Sequence, residues 1–97
     1  MIKVILENNK IEVSAHANFD DYGKDIVCAS VSTLVISTIN NIIDVDEDSI
    51  LYEENDNKIK IEIKNNNEIV KKLINNMVLM LESLEKDYPK NIKILRR

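Results

Sequence analysis

The chain predicts a two-layer α+β domain of order ββαββαβ, with two helices on one face of a mainly antiparallel sheet. Three observations carry that expectation. Two pairs of short alternating segments, each pair joined by a polar two-residue turn, read as β-hairpins. Two longer segments with apolar residues three and four positions apart read as helices. These follow one another along only 97 residues, which leaves room for one core, so a single domain spans 1–97.

The first hairpin is set by Ile2, Val4 and Leu6 on one strand and Ile11, Val13 and Ala15 on the next. With Asn8-Asn9 as the turn, Leu6 faces Ile11 and Val4 faces Val13, so one face is apolar throughout. His16 then ends the second strand in the phase of its polar residues. The first helix is expected over roughly 26–43, with Asp25 as its N-cap. Ile26, Val27, Val31, Leu34, Val35, Thr38, Ile39 and Ile42 follow helical spacing. A second hairpin turning at Asp56-Asn57 sets Ile59, Ile61 and Ile63 opposite Glu54, Tyr52 and Ile50. The second helix, roughly 67–87, turns Val70, Leu73, Ile74, Met77, Leu81 and Leu84 inward, and Tyr88-Pro89 stops it. Met77 and Met80 read as core or dimer surface rather than a cofactor box. Ile92 and Ile94 supply a last strand.

Composition narrows the function. Hydrophobic residues make up 44% and charged residues 31%, as in ordinary globular domains. So small a domain buries only about 60–65% of its unfolded surface, and a homodimer would add to its stability. The formal charge is −4, and no Lys/Arg cluster exceeds the pairs Lys71-Lys72 and Arg96-Arg97, which argues against a nucleic-acid binder. An acidic surface suits a basic partner. The single cysteine excludes an internal disulfide and a cysteine-rich zinc site, and it suits a reducing cytosol. The apolar run at the N-terminus is too short for a signal peptide or membrane span. One glycine in the whole chain leaves no phosphate-cradling loop, and no metal site or cofactor is expected.

The stretch AHANFDDYGKDIVCA, residues 15–29, holds the only histidine, glycine and cysteine, with Phe19 and Tyr22 between them. Cys28 reads either as a buried structural thiol beside Val27 and Val31 or as a nucleophile. If Asp25 caps the helix, Cys28 falls in its first turn, where unpaired N–H groups and the dipole stabilise a thiolate. The same N–H groups would serve as an oxyanion hole. His16, on a loop able to fold back, is then a base for the thiol, the minimal equipment for acyl transfer. Asp25 either caps the helix or orients His16. Ser32, one turn beyond Cys28, either lines the same cleft or permits close helix packing. Phe19, Tyr22 and Gly23 suit a mobile loop that closes over a substrate. Thiol-phosphatase and thioredoxin-like chemistry lack, respectively, an arginine after the cysteine and a second cysteine.

HANFDDYGKDIVCASVS resembles the signature of the bacterial ribosomal-processing cysteine proteases, the Prp family (also called YsxB-like). Length and element order fit along essentially the whole chain. Position by position, the resemblance implies that Cys28 is the nucleophile and His16 its base. It places Asp25 and Ser32 close to the active site and Gly23 at the hinge of the loop. Ala15 stands where the family usually has glycine. The implied task is removal of an N-terminal extension from large-subunit ribosomal protein twenty-seven, by a cytoplasmic homodimer without cofactor. The alternatives are a non-catalytic ribosome-associated binding or assembly module on the same fold, or a structural dimerisation domain.

Overall fold

A computed structural model describes residues 1–14, 22–55, 58–65 and 67–97. The elements run β1 (Ile2–Glu7), β2 (Lys10–Ser14), α1 (Tyr22–Val45), β3 (Ile50–Asn55), β4 (Lys58–Ile63), α2 (Glu68–Asp87) and β5 (Ile92–Arg96). The order is ββαββαβ, as the sequence predicts. The strands form one sheet in the order β3-β4-β2-β1-β5. Every neighbouring pair is antiparallel except β1 and β5, which run parallel.

Both expected registers hold. Val4 pairs with Val13 and Leu6 with Ile11, across a turn in which Asn8 takes φ 49°. Asparagine tolerates that left-handed geometry better than most non-glycine residues. Ile50 pairs with Ile63, Tyr52 with Ile61 and Glu54 with Ile59; the Asp56-Asn57 turn itself lies outside the described residues. Alternation then sends Ile2, Val4, Ile11, Val13, Ile50, Ile61, Ile92 and Ile94 to one buried face, where the helices lie.

Helix α2 starts where the sequence predicts, and Asn67 caps it. Asn67 Oδ1 accepts the N–H groups of Ile69 and Val70 at 2.9 and 3.2 Å. Val70, Ile74, Met77 and Leu81 are buried along one stripe, with Leu73 and Leu84 at its border. Met77 is core, whereas Met80 is exposed.

Helix α1 departs from expectation at its start. It begins at Tyr22 rather than at 26, so Tyr22, Gly23 and Asp25 are helical residues and Asp25 is not the cap. Residues 22–25 hold no proline and no β-branched residue; Gly23 disfavours the helix by about 1 kcal/mol, while a carboxylate near the N-terminus favours the dipole. Ile26, at the head of the apolar spacing, is 57% exposed. The buried stripe runs through Val27, Val31, Val35, Thr38, Ile39 and Ile42, and Ile26 lies about 100° around the helix from Val27. Residues 26–45 are long and apolar enough to cross a membrane by length and composition. Here their most apolar stripe is the helix's contribution to the core.

Candidate active site

Cys28 is a free thiol on the seventh residue of α1, half-buried and packed against the core cluster. Its neighbours Val27 and Val31 are buried and Ile26 is exposed, so Cys28 sits on the border between core and solvent. The earlier helix start moves the thiol from the first turn to the second, about 9 Å along the axis from Tyr22. At that depth its own N–H is already engaged in the helix, and the first-turn N–H groups are one turn away. The expected oxyanion hole at this cysteine is therefore not provided by the unpaired end of α1.

His16 and Phe19 lie outside the described residues, as does most of the expected loop. Tyr22 and Gly23, expected in that loop, instead open α1. Ser32 follows Cys28 by one turn and is partly buried. It lines a shallow hollow along α1 with Thr33, Ile36, Ser37, Asn40 and Asn41. Cys28 is not part of that hollow. Ser30 Oγ donates back to the Ile26 carbonyl at 2.8 Å, which keeps this hydroxyl in the helix backbone.

The sheet end that leads into residues 15–21 is the row Lys3, Ser14, Lys58 and Asn55. It is fastened by Lys58 Nζ, 2.9 Å from Glu12 Oε1 on the adjacent strand. The hydrogen bond from Lys58 holds the Glu12 carboxyl below its usual range against a small opposing effect of burial, with Lys60 and Arg97 adding to the attraction. Among the described residues, no group of three or more His, Cys, Asp or Glu side chains is arranged to hold a metal. From Asp25 to Asn57 the chain carries no lysine or arginine, so Cys28 and β3 belong to a segment without positive side chains.

Comparison with known proteins agrees with this layout. A family model for cysteine protease Prp matches residues 1–93. The ribosomal processing cysteine protease Prp of Bacillus subtilis is 31% identical over 93 residues, covering 86% of this chain and 80% of the relative. The fold superposes on S. aureus Prp crystallised with a substrate peptide at a TM-score of 0.92, with 24% identity and all of both chains covered. For the same protease bound to a covalently linked product peptide, the TM-score is 0.88 at 25% identity, again over all of both chains. The whole-chain family match, the shared fold and a free cysteine near the start of the first helix converge on one conclusion: this chain belongs to the Prp family of cysteine proteases.

Proposed function

We propose that this cysteine protease is an endopeptidase that removes the N-terminal extension of large-subunit ribosomal protein twenty-seven, working in the cytoplasm as a homodimer. The observation that carries the reading is Cys28 itself, a free thiol at the solvent border of α1 in a chain matched by the Prp family over residues 1–93. In this reading His16 takes the thiol proton and the sulfur attacks the scissile carbonyl. The tetrahedral intermediate collapses as His16 protonates the departing amine, leaving a thioester on Cys28. Water, deprotonated by the same imidazole, then releases the shortened acyl product and restores the thiol. Because the N–H of Cys28 is already bonded within α1, the donors that stabilise the oxyanion come from outside the regular helix. Asp25, Gly23 and Ser32 support the site by position on α1, and Phe19 and Tyr22 contact the substrate.

The test incubates purified protein with a peptide spanning the extended N-terminus and follows products by mass spectrometry. Wild-type protein releases one amino-terminal fragment, and Cys28→Ala and His16→Ala abolish its release. Cleavage that survives both substitutions rejects the dyad. Specific binding without cleavage by the wild type identifies a non-catalytic ribosome-associated module instead.

A further inference from the structure

The two edges of the sheet are treated differently. At the β5 edge, the Ile94 N–H points away from β1 and is taken by Glu85 Oε2 of α2 at 2.7 Å. Arg96, also on β5, is bound by Glu82 of the same helix. That edge is closed by side chains. At the β3 edge, Lys64 donates to the Ser49 carbonyl. Antiparallel alternation then makes Leu51–Glu62 and Glu53–Lys60 the hydrogen-bonded pairs. The N–H and C=O groups of Ile50, Tyr52 and Glu54 therefore point outward, and among the described residues no side chain caps them. Leu51 and Tyr52 are 57% and 50% exposed, and the rest of the strand beyond Ile50 is exposed too.

Natural sheets usually block such an edge with lysine, proline or a covering element. This one is flanked instead by Asp44, Asp46, Glu47 and Asp48 on its approach and by Glu53 and Glu54 on the strand, with no positive residue between them. A second copy pairing edge to edge would bring two acidic stretches together, each without lysine or arginine from residue 25 to 57. An extended segment with lysine or arginine at alternate positions would meet opposite charges and an open row of backbone groups. β3 runs in the same direction as β2, so its Asn55 end is the sheet end at which β2 leads into residues 15–21.

We propose that the β3 edge is a docking strand for a basic, extended flank of the peptide substrate, which adds to the sheet as a sixth strand. The proposal rests on the peptidase reading only for what the bound segment belongs to. The sheet addition itself is tested without cleavage, on the full chain carrying Cys28→Ala.

A seven-residue peptide alternating lysine with valine is titrated while backbone amide resonances are followed by NMR. Shifts concentrated at residues 50–55, and binding that weakens steeply with salt, are the expected result. Methylating the alternate peptide amides that face β3 removes their donors and weakens binding by about tenfold or more. Tyr52→Pro removes an N–H that makes no bond to β4, so the sheet is kept while the added strand is excluded. In the wild-type background, Tyr52→Pro raises KM for a long basic substrate and leaves alkylation of Cys28 by iodoacetamide unchanged. Equal binding of methylated and unmethylated peptides overturns the proposal, as do shifts centred elsewhere or no binding at all. No cleavage of any peptide, with strand addition intact, overturns the peptidase reading and not this one.

Discussion

Asn67 joins the two halves of the fold, and replacing it separates two contributions to stability. Its Oδ1 caps α2 through the N–H groups of Ile69 and Val70, while its Nδ2 donates to Asp46 Oδ2 at 3.2 Å. Asp46 organises the turn between α1 and β3: its Oδ1 accepts the Asp48 N–H, and its carbonyl accepts both the Ser49 hydroxyl and the Ser49 N–H. Loss of an N-cap costs about 1 kcal/mol. A half-exposed hydrogen bond to a carboxylate adds about 0.5–1 kcal/mol. Asn67→Ala should therefore cost about 1.5–2 kcal/mol, lowering Tm by roughly 6–16 °C in a domain of this size. Asn67→Ser keeps a capping oxygen and loses only the tie to Asp46, so it should cost about 0.5–1 kcal/mol. Circular dichroism melts of these variants, with Asp46→Ala and the Asn67→Ala/Asp46→Ala double variant, complete the cycle. The coupling between the two sites should be about 0.5–1 kcal/mol. Serine as damaging as alanine, with no coupling to Asp46, would refute this division of labour.

Met77 is fully buried on α2, so Met77→Ala should cost about 2–5 kcal/mol. In urea this appears as a lower midpoint with an unchanged m-value. The Glu12 carboxyl, held below its ordinary value of 4.5 by Lys58, contributes stability that is present above that value and lost as pH falls through the lower folded-state value. Lys58 is 42% exposed, so the contribution stays below about 1 kcal/mol. Glu12→Gln should melt slightly lower than wild type at pH 7, with the gap closing as pH falls below the ordinary value of 4.5.

Much of this fold is written in short-range pattern. Two-residue periodicity and polar turns fix which residues of β1 and β2, and of β3 and β4, face each other, because a slip of one residue would turn every isoleucine to the wrong face. The parallel pairing of β1 with β5 and the sheet order are set by long-range packing that no local pattern encodes. The start of α1 falls earlier than the sequence predicts because an aspartate before an apolar run is a good cap signal, yet the turn before it, Gly23 included, holds no residue that stops a helix. The closed and open sheet edges were also out of reach. Glu85 meets Ile94 nine residues away only after α2 and β5 have packed. The lack of positive residues from 25 to 57 was legible, and it acquires meaning once β3 is seen to be an edge.

In the proposed reading, the placement of Cys28 divides the site between a thiol held by the core and a base, His16, that comes from another part of the chain. Its position is set by Val27 and Val31, both buried in the core, so the sulfur can move little without opening the main helix–sheet contact. As the proposed nucleophile, Cys28 forgoes the unpaired N–H groups that a first-turn position would supply. It gains a location fixed by the core. His16 and the loop residues all come from the segment between β2 and α1, whose two anchors are Ser14 and Tyr22. The ion pair of Glu12 and Lys58 fastens the first anchor's strand to β4, and the core stripe of α1 fastens the second. Substrate bound along β3 in the proposed manner would arrive at the end of the sheet where β2 leads toward His16. In the proposed reading, substitution of His16 acts on turnover, while substitution of Glu12 or Val31 acts on stability first.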